Sequence, residues 1–291
     1  MVKGNKITKK ECSEEPQSRK RMKSITKQSK IKRLTPYVGE IVIYVLLILL
    51  IAGTYWRNKI WNSEVELWVD CVKKSPHKGR PHNNLGNIFN LQGRYQEAID
   101  QCAEALRINP NYAEAHNNLG NAFSGQGRYP EAIVQYTEAL RIDPNYAEAH
   151  YNLGNILLRQ GIYPEAIVQY TEALRINPNY AEAHNNLGAA YTHQGKYPEA
   201  VAQYTEALRI NPNYAETHNN LGIAYTHQGK YREAVVQYTE ALRINPNYAE
   251  THYNLGIAYF TIGDRSPALK EYEILKTLNP GLANALYEKI K

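Results

Sequence analysis

The chain has 291 residues, 43% of them hydrophobic and 21% charged, with a formal net charge of +6. Residues 1–36 hold twelve Lys/Arg and three Glu, so the tail is +9 and everything after Pro36 is −3 (22 basic against 25 acidic residues); the basic balance belongs to the tail and not to the folded part. Cys12, Cys71 and Cys102 are few, odd in number and without metal-ligand spacing, which excludes a disulfide framework and a zinc site.

The tail is rich in Lys, Ser, Thr and Gln and nearly free of large apolar residues. It cannot bury enough surface to offset its ordering entropy and is expected to be disordered. Its cluster Arg19-Lys20-Arg21-Met22-Lys23 reads either as a nucleic-acid signal or as a patch for anionic lipid head groups. The apolar run that follows favours lipid, so no nucleic-acid partner is expected. That run, Tyr37–Trp56, has no charge from Ile41 to Tyr55, and its twenty residues span about 30 Å, the thickness of a bilayer core. With Tyr37, Tyr55 and Trp56 at the interfaces, it is expected to be a single transmembrane helix. A cleaved signal peptide is the alternative, for which Ile51-Ala52-Gly53 is a poor cleavage site. Charge asymmetry across the span makes the N-terminus cytoplasmic and the remainder periplasmic, extracellular or lumenal.

Residues 57–78 are expected to form a linker and an N-terminal capping helix, with Trp68 in a core aromatic slot and Ser75-Pro76 as the stop. Beyond it the pairs Leu85-Gly86, Leu119-Gly120, Leu153-Gly154, Leu187-Gly188, Leu221-Gly222 and Leu255-Gly256 recur every 34 residues, the period of a solenoid. They define six units, 79–112, 113–146, 147–180, 181–214, 215–248 and 249–282, followed by a C-terminal cap at 283–291. In the second unit Ala113, His116, Leu119, Gly120 and Phe123 share one helix face. Gly127 closes that helix in the left-handed conformation, and Tyr129 packs at the turn. Pro130 opens a second helix whose apolar stripe is Ala132, Ile133, Tyr136, Ala139 and Leu140, and Asp143-Pro144 stops it. Gly120 and Ala132 are expected where the two helices cross. Ala139 is expected to admit the next unit's first helix. Cys102 falls in the slot of the core tyrosine and is expected to be buried there; a disulfide with Cys71 is the alternative.

The pattern Leu-Gly, Tyr/Phe, Ala, Tyr, Ala, Pro at these offsets resembles the tetratricopeptide repeat. The resemblance implies an all-α, right-handed superhelical solenoid of αα-hairpins, preceded here by one transmembrane helix. Two departures stand out. His82, His116, His150, His184, His218 and His252 replace the Trp common at the fourth position, and Arg265 replaces the turn tyrosine of the last unit. The junction RNKIWNSEVELWVDCVKKSPHKGRPHNNLG also resembles the segment that joins membrane helices to exported repeats in bacterial O-mannosyltransferase-like membrane glycosyltransferases. The catalytic membrane portion of those proteins has no counterpart here, so their activity does not carry over.

In such a solenoid the first helices line the concave face. The candidate peptide-binding residues are the sixth-position Asn84, Asn118, Asn152, Asn186, Asn220 and Asn254, with the fifth-position Asn117, Tyr151, Asn185, Asn219 and Tyr253. An Asn amide both donates and accepts, so a ladder of them can pair with an extended peptide backbone. This is similar to the Asn ladder of O-linked N-acetylglucosamine transferases; the alternative is a duplicated consensus of solvated side chains. Glu114, Glu148, Glu182, Glu216 and Glu250 at the second position favour a neutral or basic segment. Arg159 is the main basic exception, so a carboxylate clamp is not expected. The fourth-position histidines recur too far apart to share a metal and are expected to be packed. No catalytic residue, metal or cofactor is expected. The reading is a membrane-anchored scaffold for protein–protein interaction, with a protein or peptide ligand in the groove and anionic lipids at the tail. Two alternatives remain: an accessory subunit of a protein glycosyltransferase whose repeats select its substrates, and a cytosolic-facing chaperone adaptor.

Overall fold

The computed structural model describes residues 42–53, 55 and 63–291. The basic tail and Cys12 lie outside them. The chain divides into two units, Met1–Leu67 and Trp68–Lys291. In the first, residues 42–53 form helix α1, whose Val42, Ile43, Leu46 and Leu47 side chains are exposed. Among the described residues no helix is long and apolar enough to cross a membrane, and both ends of the expected span, Tyr37 and Trp56, lie outside them.

The second unit is all helix. It begins in α2 (Glu64–Lys74) and continues as hairpins α3/α4 (Gly79–Leu91, Tyr95–Ile108), α5/α6 (Ala113–Gly125, Tyr129–Ile142) and α7/α8 (Ala147–Arg159, Tyr163–Ile176). Then come α9/α10 (Ala181–His193, Tyr197–Ile210), α11/α12 (Ala215–His227, Tyr231–Ile244) and α13/α14 (Ala249–Thr261, Arg265–Leu278), with α15 (Pro280–Ile290) closing the array.

Each hairpin turn is set by one glycine. Gly127 has φ +75°, a left-handed conformation that costs a side-chain-bearing residue about 1–2 kcal/mol. It lets Arg128 N–H reach the Phe123 carbonyl at 2.9 Å and Gly127 N–H reach Ser124 at 2.9 Å, which satisfies the last carbonyls of α5. Gly93, Gly161, Gly195, Gly229 and Gly263 repeat that conformation. The second helices end at a residue before Pro, as at Asp143, whose backbone is extended at φ −128° and ψ 92°.

The Leu-Gly pair has a steric cause. A Cβ on Gly120 would stand 2.6 Å from the Tyr136 ring, so the tyrosine lies flat on bare helix backbone. The same fit joins Gly154 to Tyr170, Gly188 to Tyr204 and Gly222 to Tyr238. In the first hairpin Cys102 takes that place against Gly86 and is fully buried, which pushes its thiol up to about 12. Cys71 and Cys102 are both free thiols. In the last hairpin Leu286 of the cap fills the space over Gly256 instead.

No hairpin completes its own core. Ala132 and Tyr136 of α6 pack with Leu153 and Ile156 of α7, and Ala200 and Tyr204 of α10 with Leu221 and Ala224 of α11. Folding therefore couples neighbours along the array. The array closes where Ala283, Leu286 and Ile290 of α15 cover Ala268 and Leu275 of α14. Helix α15 starts at Pro280 because Asn279 caps it, accepting from Leu282 N–H at 3.2 Å.

Candidate functional site

The fourth-position histidines are structural staples. His116 Nδ1 lies 2.8 Å from Gln135 Oε1 on its partner helix, and Nε2 lies 3.1 Å from the Pro110 carbonyl of the preceding loop. His82, His150, His184 and His218 repeat the arrangement with Gln101, Gln169, Gln203 and Gln237. The His thereby ties one hairpin to the stop of the one before. Among the described residues no group of three His, Cys, Asp or Glu could hold a metal.

The asparagine rows form a seam between repeats. Asn117 and Asn185 are 0% and 1% exposed, Asn219 is 3% and Asn118 4%. The sixth-position amides reach back one unit: Asn118 to Asn83 Oδ1 (2.9 Å), Asn152 to Asn117 Oδ1 (3.1 Å), Asn220 to Asn185 Oδ1 (3.3 Å) and Asn254 to Asn219 Oδ1 (3.4 Å). The fifth-position amides reach forward to the next unit's glutamate. Asn83 donates to Glu114 at 2.9 Å, Asn117 to Glu148 at 3.1 Å and Asn185 to Glu216 at 3.4 Å. Thr217 and Thr251 hydroxyls donate to Asn185 and Asn219 at 2.9 and 3.0 Å. The Glu114 and Glu148 carboxylates are thus held in place, while their residues stay exposed.

Tyr151 interrupts the seam. Its ring packs on Tyr180 at 4.7 Å, and its hydroxyl accepts from Asn186 at 3.3 Å. Tyr253 packs against the C-terminal cap cluster. Asn84, Asn152, Asn186, Asn220 and Asn254 are half-buried, so part of each side chain still faces solvent.

A cleft of about 390 Å³ opens along α3, α5 and α7. It is lined by Asn87, Asn121 and Asn155 at the ninth position of their units, with Asn90, Asn152 and Ser124 beside them, and its charged residues are Glu148 and Arg159. Asn121 Oδ1 accepts from the Tyr136 hydroxyl at 2.8 Å and from Asn152 at 3.0 Å, and Asn155 does the same for Tyr170 (2.8 Å) and Asn186 (2.8 Å). Their amide N–H groups remain for the cleft. Asn90 donates to the Asn118 carbonyl at 2.8 Å, while its own buried Oδ1 has no partner. In the last three units the ninth position is Ala189, Ile223 and Ile257, so the polar lining ends at the third hairpin. Burial, then Glu148 and Glu114, hold the Tyr146 hydroxyl above the ordinary tyrosine range, so it stays protonated as a neutral neighbour to those carboxylates.

The thirteenth position marks the groove's other edge. His193 stacks on Tyr163 at 4.8 Å with rings 4° apart, and His227 on Tyr197 at 4.7 Å and 2°. In the second unit the position is Gly125, where a Cβ would run into Tyr95, so Tyr95 lies over the glycine at the cleft wall.

The ninth-position asparagines are absent from the sequence-level site, although their signal was available. Asn87, Asn121 and Asn155 against Ala189, Ile223 and Ile257 divide the array into halves that alignment on the constant Leu-Gly pairs overlooks.

Solved structures carry the same fold. PilF of Pseudomonas aeruginosa superposes with a TM-score of 0.67 over 73% of this chain and 97% of its own, at 24% identity. MamA gives 0.52 over 59% of this chain and 95% of its own, at 26% identity. YrrB, described as a TPR protein with an unusual peptide-binding site, gives 0.54 over 64% and 96%, at 22% identity. No curated protein matches the chain in sequence. Family models described as TPR repeat match residues 86–127, 125–161 and 154–195, and those described as tetratricopeptide repeat match 179–247 and 225–290. These matches begin at the first Leu-Gly glycine, run through every hairpin and reach the cap, which makes the chain a member of the tetratricopeptide-repeat family.

Proposed function

We propose that this chain is a non-catalytic scaffold that holds an extended, neutral or basic peptide in the cleft along α3, α5 and α7. The observation that carries the reading is the row of amides from three successive hairpins, Asn87, Asn121 and Asn155, beside the unpartnered Asn90 oxygen. Their amides offer N–H donors to a peptide backbone, and Asn90 Oδ1 offers an acceptor for a peptide N–H. The half-buried Asn84, Asn152, Asn186, Asn220 and Asn254 contribute what the seam leaves free, and the exposed glutamates repel acidic side chains. Among the sequence-level candidates, Asn117, Asn185 and Asn219 act through the seam as supports for the groove wall. Peptide binding of the kind described for YrrB is a use the same fold accommodates.

Random dodecapeptides displayed on phage and selected on the full chain test this. Enriched peptides are expected to be neutral or basic and to lose about tenfold in affinity against Asn87→Ala/Asn121→Ala/Asn155→Ala. Enriched peptides that bind this folded variant unchanged would sink the cleft reading.

The array is read as tethered by the apolar run 37–56, with the tail cytoplasmic on anionic lipid and the repeats on the far side. Support comes from its uncharged stretch 41–55 and from the exposed apolar side chains of α1. Protease protection in sealed vesicles tests it: cleavage of the repeats only from the cytoplasmic side refutes the orientation. The transferase-linked reading rests on the junction sequence, and no feature of the cleft favours it over a plain scaffold.

A further inference from the structure

The sixth hairpin breaks the histidine rule. In five hairpins the fourth-position His faces a proline carbonyl and a Gln side chain. The carbonyl only accepts. The Gln amide can turn by 180° and present its NH₂, so a neutral imidazole, with one N–H and one lone pair, satisfies both neighbours. In the sixth, His252 Nδ1 lies 2.5 Å from Glu271 Oε2 and Nε2 lies 2.9 Å from the Pro246 carbonyl. Both neighbours of the ring are then acceptors whenever Glu271 is ionised, and only an imidazolium has two N–H groups to give them. The pair is shielded from solvent, with side chains 7% and 13% exposed.

We propose that this ion pair is a proton-dependent latch that closes α13 on α14 and loosens the sixth hairpin and its cap as the medium becomes alkaline. The latch sits beside the cap. A Cβ on Gly256, one turn along from His252, would meet Leu286 of α15 at 2.6 Å and the Glu271 Cβ at 3.4 Å, so the Glu271 stem and the cap's anchoring leucine share one space. The other charged groups on the packed elements are occupied or outward. On α12, Glu240 and Arg243 pair with each other at 2.7 Å, and Arg232 and Glu233 are exposed. Glu250 on α13 is exposed, as are Lys270 on α14 and Lys289 on α15. Also on α14, Glu273 pairs with Lys276 at 2.5 Å, and Arg265 Nη2 lies 3.3 Å from the Lys291 carbonyl. At the chain end Glu288 pairs with Lys291 at 2.9 Å. The glutamate 22 residues after the other histidines (Glu104, Glu138, Glu172, Glu206, Glu240) is Ile274 here, so Glu271 is the carboxylate that acts on His252.

Burial opposes the charge, but the Glu271 hydrogen bond, the Pro246 carbonyl and the Glu271 charge outweigh it, so His252 holds its proton above the ordinary histidine range. A group raised in the folded state stabilises fully below its unfolded value, about 6.5, and loses that stabilisation as pH rises through the folded value. The terminal unit of a solenoid opens without its neighbours, so the loss falls on α13–α15.

Hydrogen–deuterium exchange of the full chain at pH 5.5 and 8.5, with labelling times scaled to intrinsic rates, tests the latch. Protection in α13–α15 is expected to fall at least threefold more than in α9–α12 on going to pH 8.5. In Glu271→Gln the excess should vanish, because the amide serves a neutral ring as in the other hairpins. An equal change in both regions, or an excess that survives in Glu271→Gln, overturns the proposal. Should the variant lose its cap at every pH, the His252 ring titration by NMR decides on the native chain. A midpoint above the free-histidine value supports the latch, and one at or below it refutes it.

Discussion

Asn185 offers a direct measure of whether the asparagine rows are seam or solvated ladder. The residue is 1% exposed, and four partners surround its amide. Its oxygen accepts from Thr217 Oγ1 at 2.9 Å and Asn220 Nδ2 at 3.3 Å, and its nitrogen donates to Asn186 Oδ1 at 3.1 Å and Glu216 Oε1 at 3.4 Å. Replacing Asn185 by Ala orphans Thr217, which is 0% exposed, while Asn220, Asn186 and Glu216 still reach water. One fully buried orphan costs about 1–3 kcal/mol, and the lost net bonds and small void add about 1, so Asn185→Ala is expected to destabilise by about 2–4 kcal/mol. Thr217→Ala should cost under about 1 kcal/mol, because removing the donor leaves the Asn185 oxygen its bond from Asn220. Ala115 and Ala149 already occupy that position beside Asn83 and Asn117. In the double variant the orphan is gone, so its cost should fall below the sum of the singles by about 1 kcal/mol. Urea unfolding followed by far-ultraviolet circular dichroism reads all three. A cost under about 1 kcal/mol for Asn185→Ala, with additive behaviour in the double variant, would refute the seam and restore the solvated ladder.

Three further outcomes follow from the packing. Gly188→Ala gains about 1 kcal/mol of helix propensity, yet its Cβ would stand 2.7 Å from the fully buried Tyr204 ring, so a net loss of about 1 kcal/mol is expected in urea; net stabilisation would show that the ring moves freely. Gly195→Ala at φ +72° should cost about 1–2 kcal/mol, although nothing lies within 4 Å of the added carbon, whereas the neighbouring Gln194→Ala should be near neutral. The Cys102 thiol, pushed up to about 12 by burial, should resist a thiol reagent at pH 8 in the folded chain while half-buried Cys71 reacts; equal rates would contradict the burial.

The fold was legible because its determinants are local and periodic. Gly127, Pro130 and Pro144 act within a few residues of themselves, and Leu119, Ala132 and Tyr136 recur at helical spacing, so a single unit shows both the elements and their stops. The site was legible only in part. Asn117 looks like a groove donor in one dimension. Its burial arises because α7 approaches α5 closely enough for Glu148 and Asn152 to reach it, and that pairing spans 31 and 35 residues. The packing of the fourth-position histidines was legible but their partner was not, since Gln135 lies 19 residues from His116 and reads as a polar surface residue until the hairpin closes. The membrane span expected from composition has only its middle among the described residues, where no helix is long and apolar enough to cross a membrane.

The seam also explains where variation between such similar hairpins can accumulate. A fifth- or sixth-position asparagine answers to the unit before it and the unit after it, so a change there disturbs stacking on two sides. A ninth-position side chain projects along the groove. Its bonds run to the tyrosine of its own hairpin and the asparagine of the next, and Thr192 and Thr226 relieve it of the tyrosine by lying 3.2 and 3.1 Å from the Tyr204 and Tyr238 hydroxyls. Once that threonine is present, Ala189 and Ile223 are free to be apolar without leaving a buried hydroxyl orphaned. The passage from a polar to an apolar ninth position therefore costs the fold little, because the core tyrosine hydroxyl keeps a partner either way.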